Sequence, residues 1–232
     1  MKDPIGTAIE DFYNGELNAE IIVESDLCDD DTIPLSILCR TFEEMSELEK
    51  IALNKASGEI LDVGAGCGNH ALELTKKGGN VTAIDISEKA VKHMINKGIN
   101  AHNINFFEFN NKKFDTITFF MNGIGIAGKL SNLKHTLAHA KTLLKPNGKL
   151  IFDSSDISYL YEDEDGSVWM DLNNEYFGNF KFKMNYKNES TDWFDWLYVD
   201  YNKMKEIAKE LNFNVNLLFE ENYSYLTELT LK

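Results

Sequence analysis

Three glycines stand two apart in Gly64-Ala65-Gly66-Cys67-Gly68, directly after the apolar run from Glu59 to Val63 and directly before an amphipathic stretch that opens at Asn69. Backbone without side chains lets a ligand approach closely and takes torsions that a Cβ forbids. A helix that starts there aims its free N–H groups at whatever binds. About twenty residues past the loop, the run VTAID ends at Asp85, a place from which a carboxylate can accept hydrogen bonds from ribose hydroxyls. Loop and carboxylate together describe a site for an adenosine-containing ligand. A dinucleotide fold wants G-x-G-x-x-G, whereas the spacing here is G-x-G-x-G, with Asn69 where the last glycine belongs.

Three other residues could move a proton. His70 opens the stretch after the loop, where a helix dipole disfavours the imidazolium and leaves the ring a neutral acceptor. Asp153 and Asp156 flank Ser154-Ser155 after the run KLIF. Each has a competing structural use: packing or ligand contact for His70, loop fixing for the two aspartates. Arg40 is the one arginine of the chain, hence its sole bidentate fork for a carboxylate or phosphate, unless it pairs within a helix with Glu43 or Glu44. His135 and His139 have i, i+4 spacing, but Leu130, Leu133, Leu137 and Leu144 define the buried side, so these histidines are expected to face solvent and no metal is expected. Cys28, Cys39 and Cys67 are odd in number and lack metal-ligand spacing, so reduced thiols are expected.

The elements that must hold these residues are legible as an alternation. EILDV, VTAIDI, FDTITFFM and GKLIFD read as strands, and HALELTKKG, SEKAVKHMINKG and LSNLKHTLAHAKTLL read as helices between them. That order implies parallel βαβ units. Ser87 opens a helix, Gly98 closes it, and Pro146-Asn147-Gly148 turns the chain into its next strand. Asn122 and Gly123 then fall at the carboxyl edge of a strand, where ligands bind in open α/β sheets. Residues 1–58 read as a largely helical cap or lid, 59–156 as the ligand-binding part, 157–200 as an inserted aromatic hairpin, and 201–232 as a helix with a closing strand pair. One domain with insertions accounts for the length.

Among the 232 residues, 38 are Asp or Glu and 23 are Lys or Arg, a formal charge of -15. Such a surface repels phosphate backbones, so nucleic acid is disfavoured as a partner. No stretch reaches the length of a membrane span, and the acidic first residues lack a long apolar run, so a cytoplasmic protein that does not engage membranes is expected.

Four stretches in this order, LDVGAGCG, VTAIDIS, FDTITFFMNGIG and LLKPNGKLIFDSS, resemble the class I S-adenosylmethionine-dependent methyltransferases. The resemblance runs from Ile60 to Asp156 and takes in the final helix and hairpin. It implies an α/β fold with a doubly wound, mostly parallel seven-stranded sheet that ends in an antiparallel hairpin. The cofactor it implies is S-adenosylmethionine, with S-adenosylhomocysteine as product. Gly64, Gly66 and Gly68 would then line the methionine and ribose end, with Asp62 and Ala65 also among the cofactor-binding residues; Asp85 would hold the ribose hydroxyls, and Ile86 would lie against adenine. Many family members carry an aspartate that reads the adenine amino group; Asn105 stands there, with Glu108 the alternative and Phe106 offering an apolar face. Asn122 and Gly123 would border the methyl group.

Acceptor choice in this family usually lies outside the common part, which points to the cap and the insertion. Arg40, Tyr13, Tyr161, Tyr176 and Trp196 are the candidate substrate contacts, among other aromatics such as Tyr159, Trp169, Trp193 and Tyr198. The expected reaction is in-line methyl transfer to a small molecule. A non-catalytic cofactor-binding regulator, a protein methyltransferase and a nicotinamide-dependent oxidoreductase are the alternatives. Oligomeric state cannot be read from the residues.

Overall fold

A computed structural model describes residues 2–110, 112–162 and 175–231; Trp169 and most of the acidic run Tyr161 to Ser167 lie outside them. The helices are α1 (Pro4–Tyr13), α2 (Leu35–Leu38), α3 (Glu47–Lys55), α4 (Asn69–Lys76), α5 (Glu88–Asn96), α6 (Leu130–Leu143) and α7 (Tyr201–Glu210). The strands are β1 (Glu20–Ser25), β2 (Asp31–Pro34), β3 (Glu59–Val63), β4 (Asn80–Asp85), β5 (Ala101–Asn103), β6 (Phe114–Phe119), β7 (Leu144–Ser155), β8 (Asn179–Tyr186), β9 (Glu189–Ser190), β10 (Phe194–Leu197), β11 (Phe213–Glu221) and β12 (Ser224–Leu231).

Seven strands form one sheet in the order β11-β12-β7-β6-β3-β4-β5. β3 runs parallel to β4 and β6, β4 to β5 and β6 to β7, while β12 lies antiparallel to both β7 and β11. This is the doubly wound arrangement with a terminal hairpin. Central β3 buries four of its five residues, as a strand covered on both faces must. Helices pack on both sides and split the core, with Phe114, Phe119, Phe152 and Leu137 in one cluster and Leu53, Ile60, Leu74 and Met94 in the other. The consequence for function is that the ends of β3, β4 and β6 deliver the glycine loop, Asp85 and Asn122 to one edge.

A second sheet, antiparallel and in the order β10-β8-β1-β2 with β9 added to β8, corrects the expectation of a largely helical cap. β1 pairs with β8 across more than 150 residues of sequence, Ile22 opposite Asn185. The inserted hairpin is present as β8 and β10, but its partner is the N-terminal segment. The signal was in EIIVES, where Ile21 (1% exposed) and Val23 (7%) point inward and Ile22 (47%) outward, a period of two. Helical neighbours hid it. α1 does form, capped by the Asp3 carboxylate on the Gly6 N–H with Pro4 at its first position. It packs against α5 through Ala8, Ile9 and Ala90.

Two smaller expectations are also corrected. Cys39 and Cys67 form a disulfide, with Cα atoms 5.4 Å apart, leaving Cys28 as the free thiol among the described residues. Spacing along the chain could not show that folding brings these two together. His139 is half-buried, its Nε2 2.9 Å from the Phe106 carbonyl, whereas His135 is exposed as expected. Among the described residues no cluster of metal-ligating side chains occurs, and no helix is long and apolar enough to cross a membrane.

Candidate functional site

A cavity of about 1850 Å³ is lined by residues of both sheets. One wall is the glycine loop with the stretches Ile84 to Lys89, Asn103 to Phe107 and Phe120 to Met121. The other combines apolar side chains, Val23 and Ile33 of the N-terminal strands and Phe180, Phe182, Trp193 and Trp196 of the insertion, with the carboxylates of Asp29 to Asp31, Asp192 and Asp195.

Gly64 (φ 69°) and Gly66 (φ 53°) hold left-handed torsions, and a Cβ at either would meet nothing within 4 Å. The loop is therefore bare toward open space, a cradle rather than a packed turn. Gly66 N–H donates to Asp85 Oδ2 (2.9 Å) and Ser87 N–H to Oδ1 (2.8 Å). Each oxygen keeps a lone pair for a further donor, such as a vicinal diol. Burial raises the Asp85 pKa against those two hydrogen bonds.

Beside Asp85, Ile86 stands 69% exposed on the cavity, an apolar surface. Phe107, 38% exposed, faces the same space. Asn105 caps the 3-10 turn Phe106–Glu108, its Oδ1 accepting from Phe107 N–H (2.9 Å). That bond occupies one lone pair of the oxygen. Phe106 contributes to the cavity wall but is only 4% exposed, its ring packing on Phe119 and His139. Phe107, its neighbour in the sequence, presents the more exposed face.

The expectation for Gly68 is corrected. It lies off the cavity, and a Cβ there would strike Met94 and Ile99, so it lets α4 pack against α5 rather than facing a ligand.

Below the loop lies a group of charges. Glu49, 2% exposed, takes His70 Nε2 on Oε1 (2.7 Å) and both Arg40 Nη2 (2.7 Å) and Ser46 N–H (2.9 Å) on Oε2. Burial alone would raise its pKa, but the bonds from His70, Arg40 and Ser46 outweigh that and hold it down at about 2. The His70 ring is stacked on Phe120, centroids 4.3 Å apart at 12°. Asp62, 1% exposed, accepts from the Thr118 hydroxyl on Oδ1 and has no partner on Oδ2 among the described residues; burial pushes it up to about 6. Asp153 accepts from the Asn122 N–H on Oδ2 (2.7 Å), has no partner on Oδ1 among the described residues, and is also raised to about 6 by burial.

Asp62, Gly64, Ala65, Gly66, Asp85, Ile86, Asn105, Gly123, His70 and Trp196 thus meet on one cavity. Other expected site residues stand elsewhere. Arg40 is spent on Glu49, a pairing sequence reasoning missed although the capping box Ser46-x-x-Glu49 was visible. Tyr13 stacks on His93 between α1 and α5. Tyr161 donates to the Phe177 carbonyl and Tyr176 to Asp200, the cap of α7. Asp156 fixes its own loop through the Ser158 N–H. Asn122, with φ 55°, braces strand ends: its Nδ2 donates to the Leu197 carbonyl and its Oδ1 accepts from Ser154.

Known proteins bear on what this arrangement is. Residues 37–216 match the family model described as a methyltransferase domain. An S-adenosylmethionine-dependent methyltransferase from Bacteroides fragilis, solved in complex with S-adenosyl-L-homocysteine, is 42% identical, covers 99% of this chain and 95% of its own, and superposes with a TM-score of 0.92. A demethylmenaquinone methyltransferase of Tropheryma whipplei (strain Twist) is 32% identical over 102 residues, 41% of each chain. A Geobacillus sp. (strain WCH70) protein named provisionally as a methyltransferase is 34% identical over 101 residues, 40% of this chain and 41% of its own. The matching stretch therefore spans about two fifths of these curated relatives.

Proposed function

The chain belongs to the methyltransferase-domain family, and on that premise we propose that it is an S-adenosylmethionine-dependent enzyme that methylates a small molecule held between its two sheets. The observation that carries the reading is the bare cradle at Gly64 and Gly66 set against the half-buried Asp85 carboxylate with spare lone pairs. The residues fit the cofactor on that ground. Asp85 would take the ribose hydroxyls, Ile86 and Phe107 would flank adenine, and Asn105 retains an amide N–H and one lone pair for the adenine edge. Asp62, with its unpartnered Oδ2, suits an ammonium group.

When bound, S-adenosylmethionine supplies a methyl carbon made electrophilic by the adjacent sulfonium. The protein then has to orient an acceptor in line and keep water out, which can supply much of the rate. Phe180, Phe182, Trp193 and Trp196 are placed for that, and aromatic faces also tolerate a neighbouring cation. A cavity volume of about 1850 Å³ has room for a cofactor and a further small molecule.

Thermal unfolding with single added ligands tests the reading. S-adenosylhomocysteine at about a hundred times its dissociation constant should add roughly 2.7 kcal/mol, which raises the midpoint by about 5–10 °C for a chain of this size. NAD and NADP should leave it unmoved. A rise with the nicotinamides alone would sink the proposal.

A further inference from the structure

We propose that Glu49 and His70 form a base dyad in this site: His70 Nδ1 takes the proton of an acceptor that reacts through an O–H or N–H group, and Glu49 is the positioning residue that sets its tautomer. The inference rests on the methyl-transfer reading above and narrows it to acceptors that carry a proton on the reacting atom.

Four observations meet here. His70 is on the cavity wall, in the helix that follows the glycine cradle. Its Nε2 lies 2.7 Å from Glu49 Oε1, and among the described residues that is the only hydrogen bond of the ring. Donors on Arg40, Ser46 and His70 hold the Glu49 carboxyl well below the usual carboxylate range, so it is a carboxylate near neutral pH. A carboxylate accepts only, so Nε2 must carry the hydrogen and the lone pair of the neutral ring falls on Nδ1. Stacking on Phe120 fixes the plane of the ring, so Nδ1 has a set direction.

The surroundings complete the argument. Glu49 from α3, Arg40 beside it, Asp62 from β3 and Asp153 from β7 are the charged groups that face this ring. Arg40 neutralises Glu49 only in part, since the carboxylate serves both Arg40 and His70. An imidazolium formed during turnover therefore has Glu49 directly against it. Orientation of the ring and stabilisation of the imidazolium by a buried carboxylate are the two things such a pair provides.

The step balances. The acceptor atom forms its bond to the methyl carbon as its bond to hydrogen breaks; those electrons stay on the acceptor atom and the proton goes to Nδ1. The carbon–sulfur bond breaks with its electron pair left on sulfur, which becomes a neutral thioether. Positive charge passes from sulfur to the imidazolium, which later releases its proton to water.

Nitrogen-15 correlation spectra of the histidine side chains, recorded on the whole chain with and without S-adenosylhomocysteine, test this directly. His70 is expected as the Nε2–H tautomer, and as a mixture in Glu49→Gln. The Nδ1–H tautomer in the unaltered protein would overturn the proposal. A second measurement uses His70→Gln: affinity for S-adenosylhomocysteine should stay within about threefold, while turnover on a panel of phenols and amines falls by about 10²–10⁴. Equal losses in affinity and turnover would make His70 a cofactor contact and overturn the dyad. If the unaltered chain does not bind S-adenosylhomocysteine, the methyltransferase reading itself fails; binding with the wrong tautomer defeats only the inference drawn here.

Discussion

The two sheets face one cavity but acquire their order differently. In the seven-stranded sheet, the strand that ends at the glycine loop pairs with β4 only about twenty residues on, Ile60 against Val81. In the antiparallel sheet, Val23 must find Met184. Closing the longer loop costs little more in chain entropy than closing the shorter, because that cost grows only with the logarithm of length. The difference lies in specification: βαβ units announce their neighbours locally, whereas β1 and β8 are each half a structure until they meet. The cofactor wall is thus written in contiguous motifs and the acceptor wall in a long-range pairing. One covalent joint, Cys39 to Cys67, ties the N-terminal segment to the glycine loop.

That joint offers the largest test. With 28 residues of separation, loop-closure entropy gives the bridge about 3.5 kcal/mol, so Cys39→Ser with Cys67→Ser should lower the unfolding midpoint by about 7–14 °C. If the two walls are as distinct as their pairings suggest, the loss should appear first as protease sensitivity in residues 1–58. A uniform loss would erase the distinction.

Ile21→Ala comes next. Removing this buried side chain from the antiparallel sheet should cost about 3 kcal/mol, read by denaturant unfolding. Affinity for S-adenosylhomocysteine should change less than threefold, and a larger change would show that the walls are energetically one.

On the other wall, Gly66→Val puts a branched side chain into the open cradle and into a left-handed torsion. Calorimetry should find S-adenosylhomocysteine at least a hundredfold weaker, a loss of about 2.7 kcal/mol. The sheet itself should still form.

The buried carboxylates sharpen the comparison through pH. Asp62 and Asp153 keep their protons to about pH 6 when folded, against 3.8 for an ordinary aspartate. The folded chain therefore binds more protons over that interval, so their contribution to stability is full below about pH 4, falls as pH rises to about 6, and stays lost above. Asp62→Asn should remove one group's share of the fall, about 2–3 kcal/mol between pH 4 and 7, in chemical unfolding at a series of pH values. An unchanged slope would mean that Asp62 is hydrated in solution.

The smallest expected effect is Ile86→Ala, which trims the exposed apolar surface beside Asp85. Loss of about 1 kcal/mol of contact predicts S-adenosylhomocysteine binding weaker by about fivefold, with stability unaltered.

Much of this molecule is set by the sequence alone. The glycine spacing, Asp85 twenty positions on, the strand and helix alternation and the closing hairpin are local patterns with a fixed geometric meaning, so the doubly wound sheet and its ligand edge follow from them. Ile86 could be placed because it adjoins Asp85 in the chain. Tertiary structure decided the rest. Gly68 turned out to be a packing residue because Met94 of α5 occupies the space it faces. Tyr13, Tyr161 and Tyr176 have the composition of a pocket, yet their hydroxyls and rings are taken up by neighbours far along the chain. Glu49 joins Arg40 and His70, and Cys39 joins Cys67, only when the segment before β3 folds back under the glycine loop. A residue's type limits which partners it can satisfy, but burial decides which partner it must take, because an unpaired charge away from water is too costly to leave.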